Sequence, residues 1–103
     1  MAYGDGIGVH DLNMILSLTR TVLKNKDNPR FNEYVKIWLY EAVNLPTKYN
    51  HILSGLLIII NETGHDFKNQ ARLLSKCEKK LSSVPKDKAN QLAEYYKSLL
   101  KTP

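Results

Sequence analysis

Cysteine is nearly absent from this 103-residue chain: Cys77 is the only one, so no internal disulfide can form. That excludes the small secreted folds stapled by several bridges and suits a reducing compartment. Long apolar stretches are missing too. The longest unbroken run, Leu56 to Ile60, falls far below the ~20 residues a membrane span requires. The opening Met1-Ala2-Tyr3-Gly4-Asp5 carries an acid and no basic segment, so it does not read as a signal peptide; together with the short apolar runs this predicts an intracellular protein, cytoplasmic or nuclear, that is neither secreted nor membrane-bound. Histidine occurs only as His10, His51 and His65, and none has another His, Cys or paired carboxylate at ligand spacing. No Ser/His/Asp or Cys/His set presents itself either. The expectation is a protein without a metal, without a small-molecule cofactor and without catalysis.

Glycine is concentrated where a helix would start. Gly4, Gly6 and Gly8 occupy alternate positions, and the segment resembles the opening of a dinucleotide fingerprint in outline only. Val9 stands where the third glycine is required, and no strand precedes it. Residues 1–10 are therefore expected to form a flexible arm, with residues 11–103 as one helical domain.

What the chain does have is helical period. Leu12, Ile15, Leu16, Thr19, Val22 and Leu23 repeat at three- and four-residue intervals behind a candidate N-cap, Asp11. Asn28-Pro29 reads as the cap and first turn of a second helix, running to Asn44 before Leu45-Pro46 stops it. Thr47 can cap a third, to about Thr63, in which Ile52, Leu53, Leu56, Leu57, Ile59 and Ile60 are apolar nearly all round. A helix of that kind is the buried centre of its domain. Three consecutive Ile residues also suit a strand, but no other segment offers a partner for one. Gly64 fits the end of that helix and Asp66 the cap of a fourth, Phe67 to Ser82. A fifth follows Pro85 to about Lys101. The predicted fold is all-α, a compact single-domain bundle of about five helices with short loops.

Charge is distributed unevenly. Residues 1–64 hold six basic and six acidic side chains, whereas residues 65–103 hold nine basic and four acidic, so the whole net charge of +5 belongs to the last two helices. On a continuous fourth helix Lys68, Arg72, Lys76 and Lys79 would fall within about 80° of one another. Together with Lys80, Lys97 and Lys101 they are the candidate contacts to an RNA or DNA backbone. Such contacts are salt-dependent and blind to base sequence. The plain alternative is a solvated face that keeps a basic protein soluble. No zinc-ligand spacing, RNP aromatic string or helix-turn-helix turn accompanies the stripe.

Aromatics supply a second candidate. Phe31, Tyr34 and Trp38 share one side of the second helix and read as core, while Tyr40 lies on another with Ile37 and Val43. That second apolar side exceeds what one packing face uses. Ile37, Tyr40 and Val43 are the candidate interface for a second copy of the chain or a protein partner, unless the fifth helix covers them. Cys77, on the apolar side of the fourth helix, reads as packing. The functional expectation is a non-catalytic interaction or assembly module with a basic C-terminal face. A dedicated backbone-reading nucleic-acid binder is the alternative.

Overall fold

Why α3 (Asn50–Asn61) lies at the centre follows from its composition. Leu53, Ser54, Gly55, Leu56, Leu57, Ile59 and Ile60 are all buried, so every side of the helix must meet another element. The computed structural model describes residues 3–64 and 67–101, with side chains described over 12–64 and 69–100. Around α3 stand α1 (Tyr3–Lys24), α2 (Phe31–Asn44), α4 (Ala71–Leu81) and α5 (Lys86–Lys101), and short 3-10 turns at Thr47–Tyr49 and Phe67–Gln70 lead into α3 and α4. The most extensive packing is α3 on α5; α2 lies between α1 and α4, and α3 also touches α1 and α4. Among the described residues there is no strand, so the Ile triplet is helical. The fold is a small all-α bundle. Its Cα radius of gyration, 13.3 Å, matches the ~13 Å of a packed chain of about 100 residues.

The repeats place the core. Ile15, Thr19 and Val22 line the inner side of α1, and Val35, Trp38, Leu39 and Ala42 that of α2. Where α1 meets α2 a buried polar contact is fully satisfied. Trp38 Nε1 donates to Thr19 Oγ1 at 2.8 Å, and Thr19 Oγ1 donates to the Ile15 carbonyl at 2.7 Å. The threonine hydroxyl thus lets a large indole be buried without stranding its N–H, which would otherwise cost about 1–3 kcal/mol.

Helix ends depart from the sequence reading more than helix bodies do. Of the segment expected to be a flexible arm, residues 1–10, the described part is helical: α1 starts at Tyr3, and Asp11 lies inside it rather than at its cap. Each glycine there costs about 0.5–1 kcal/mol against alanine. Extending a helix already nucleated over the packed segment adds one hydrogen bond per residue and offsets part of that cost. α2 starts at Phe31, two residues after Pro29. Asn28 acts ahead of it, its Oδ1 accepting the Arg30 N–H at 2.8 Å. Thr47 makes no side-chain cap of α3, which is entered through the 3-10 turn. Gly64, with φ of 78°, takes the left-handed conformation expected of it after α3. The proposed cap Asp66 lies outside the described residues.

Candidate interaction surfaces

The basic stripe is shorter than its sequence spacing suggests. Residues Phe67–Gln70 form a 3-10 turn before α4, so Lys68 is out of α-helical phase with the positions that follow. A 3-10 turn advances 120° per residue rather than 100°. The side chains of Lys68 and Lys101 lie outside the described set. Arg72, Lys76 and Lys79 remain, exposed on one side of α4, and among the described residues no carboxylate pairs with them. The start of α5 adds exposed Lys86 and Lys88 after the short turn that follows α4.

Two lysines assigned to that face are committed elsewhere. Lys80 is half-buried, and its Nζ donates to Asn50 Oδ1 at 2.5 Å while Asn50 Nδ2 donates back to the Lys80 carbonyl at 3.1 Å. This reciprocal clasp ties the first turn of α3 to the last turn of α4, and burial holds the Lys80 ammonium below its usual pKa. Lys97 Nζ lies 2.8 and 3.0 Å from the two carboxylate oxygens of Glu62 and 3.2 Å from Glu94. Hydrogen bonding to Glu62 first, and to Glu94 second, raises its pKa. Neither lysine is a free cation on the α4 face.

The apolar candidate is likewise narrowed. Ile37 and Tyr40 are 48% and 58% exposed, but Val43 is partly buried and packed against the core, so it leaves the set. At about 100° per residue, Val43 lies about 60° from Tyr40 but only about 40° from fully buried Leu39, and the core claims it. The fifth helix does not cover this side of α2, because α5 packs on α3. Ile37 instead borders an open groove of about 480 Å³ between α1 and α2, whose other walls include Met14, Leu18 and Glu41. On α5 a further pair is exposed, Tyr95 at 62% and Leu99 at 40%, although the helical period counts Leu99 with the apolar side. Tyr95 meets Tyr96 edge-on with ring centroids 5.0 Å apart, and the buried Tyr96 anchors it.

A cleft of about 570 Å³ was announced by no sequence pattern. It opens where the last turns of α1, α3 and α5 converge. Arg20, Lys24 and Lys26 stand on the α1 side, the Glu62–Lys97 pair on the other, and Leu23, Ile59 and Leu100 between. Arg20 and Lys24 stand at i,i+4 in the sequence, a spacing that by itself announces no cleft.

Among the described residues no three His, Cys, Asp or Glu side chains are grouped to hold a metal. Cys77 is fully buried, and desolvation pushes its thiol up to about 11 against a small opposing pull from Lys80. At neutral pH it is a packed thiol rather than a nucleophile. No helix among the described residues is long and apolar enough to cross a membrane. In comparisons with known proteins no family model matches this chain, and no curated protein or solved structure matches it either.

Proposed function

We propose that the protein is a non-catalytic interaction module that assembles with a second copy of itself through the exposed side of α2. The observation carrying this reading is the pair Ile37 and Tyr40, one turn apart and about half exposed, with Ile37 lining the α1–α2 groove together with Met14, Leu18 and Glu41. Large apolar side chains gathered beside a groove on a small domain mark an interaction site. One copy of such a helix side complements another across a two-fold axis, with Tyr40 of each chain filling the groove beside Ile37 of the other. Light scattering of the wild type should report a mass above the 11.8 kDa monomer at high concentration. The Tyr40→Glu variant, which places a charge in that contact and touches no core residue, should return to the monomer mass. Both proteins running as monomers would end the self-assembly reading.

A second surface supports the basic-face component. Arg72, Lys76 and Lys79 form a stripe of cations with no carboxylate partner among the described residues, and like charges at helical spacing cost about 0.2–0.5 kcal/mol per pair. A polyanion laid along α4 would reverse that cost, and RNA or DNA backbone is the ligand assigned to it. Reversing Arg72 and Lys76 to Glu leaves the inner side of α4 untouched, so the fold should survive. Affinity should then fall for every oligonucleotide alike, and the salt slope should shrink by roughly 0.7–0.9 for each phosphate no longer neutralised. Equal binding by the double variant, or no binding by the wild type at low salt, would leave the stripe a solvated surface.

A further inference from the structure

The cleft at the converging ends of α1, α3 and α5 shares no residue with the α2 side or the α4 stripe, so it stands or falls independently of both. Its size is that of a small-molecule site, within the roughly 300–1,000 Å³ typical of ligand pockets. Its charge is polarised. On the far wall Lys97 is held by Glu62 and Glu94, so its charge is already met by carboxylates. On the near wall Arg20, Lys24 and Lys26 converge with no carboxylate partner among the described residues.

Helix electrostatics alone account for part of this arrangement. Cations are favoured at the C-terminal end of a helix, and Lys24 occupies the last turn of α1. That effect requires neither a concavity nor an apolar floor. Here Leu23, Ile59 and Leu100, one from each helix, line the same space as the cations. A hydrated inorganic anion would leave those side chains facing water, and a neutral apolar molecule would leave the near-wall cations unanswered. Only a molecule carrying both an apolar body and an anionic end satisfies both sets.

We infer that this cleft binds a small anionic amphiphile. The acidic head meets Arg20, Lys24 and Lys26, and a short hydrocarbon or aromatic body lies against Leu23, Ile59 and Leu100. The guanidinium of Arg20 offers the bidentate geometry that suits a carboxylate or phosphate head. The Glu62–Lys97 pair closes the opposite wall and, by the negative charge of its carboxylate, disfavours the head at that end.

Backbone amide resonances followed by NMR during titration with decanoate, below its micelle concentration, test the inference. Decanol and inorganic phosphate serve as the probes that lack the charged head and the apolar body respectively. Saturable shifts confined to segments 20–26, 59–63 and 97–100 are expected with decanoate, at an affinity well above that of either control. The double variant Arg20→Glu, Lys24→Glu changes two positions on α1 outside the core and should melt like the wild type. Its decanoate affinity should fall about tenfold or more, as expected when two charge-assisted hydrogen bonds to the head are removed. Non-saturable or scattered shifts, decanol or phosphate binding as tightly as decanoate, or an unchanged affinity in a folded double variant would each overturn the assignment.

Discussion

Leu56→Asp is expected to unfold the protein outright. Leu56 is fully buried at the middle of α3, the helix against which α1, α4 and α5 all pack. A carboxylate there would replace apolar contacts on a helix whose buried neighbours Leu53, Leu57, Ile59 and Ile60 offer no cation and no donor. Ser54, the nearest polar side chain in sequence, lies about 160° round the helix from position 56, on the opposite side. Burying an unpaired charge costs several kcal/mol, and deleting a core leucine costs about 2–5 kcal/mol more. A domain of this size has about 5–15 kcal/mol in total. Circular dichroism of the variant should show most of the helical signal gone and no cooperative melting transition. Leu56→Met keeps volume and polarity and should melt close to the wild type, at a cost under about 1.5 kcal/mol. A cooperative, wild-type-like melt of Leu56→Asp would mean that α3 does not occupy the centre.

Ease of reading the helix bodies from sequence and difficulty in reading the surfaces have one physical source. Helix bodies are set by a local rule, apolar residues at three- and four-residue intervals. Ile15, Thr19 and Val22 on α1, and Trp38 and Ala42 on α2, obey it and are buried. The near-uniform apolarity of α3 likewise needed no partner to announce its place. Surfaces are set by which distant segments meet. Lys80 looks like one more cation until Asn50, thirty positions away, is brought beside it. Lys97 looks free until Glu62 arrives from the end of α3. The cleft has no sequence signature because its lining comes from segments 20–26, 59–63 and 97–100. Val43 fell on the wrong side because its helical angle lies between core and solvent, and packing settled it. The glycine-rich start defied expectation for a related reason: local propensity argued against helix, and continuation from a packed segment outweighed it.

The second large effect is one that helix propensity predicts with the wrong sign. Gly55 lies inside α3, where replacing glycine with alanine ordinarily gains about 1 kcal/mol. Here the gain should be lost. A Cβ at position 55 would lie 2.8 Å from the Ala93 nitrogen, 2.9 Å from the Leu92 carbonyl carbon and 2.9 Å from the Leu92 Cβ. Two of those three atoms are backbone, so no rotamer change can make room. The space exists because α5 presents Ala89 and Ala93 toward α3 and the two helices approach closely at this point. An added methyl group must therefore push α5 away along the most extensive interface of the fold. Overpacking of this kind costs about 1–3 kcal/mol, and it should exceed the propensity gain. For a chain of this length each kcal/mol lowers the melting temperature by roughly 4–8 °C. In urea, Gly55→Ala should unfold at a lower midpoint than the wild type with an unchanged slope, because the surface exposed on unfolding is the same. Gly55→Val, larger and β-branched, should be worse than alanine in both packing and propensity. If Gly55→Ala instead raised the midpoint, α3 and α5 would not be in backbone contact at Leu92 and Ala93. The packing that holds Lys97 and Leu100 at the mouth of the cleft would then need another origin.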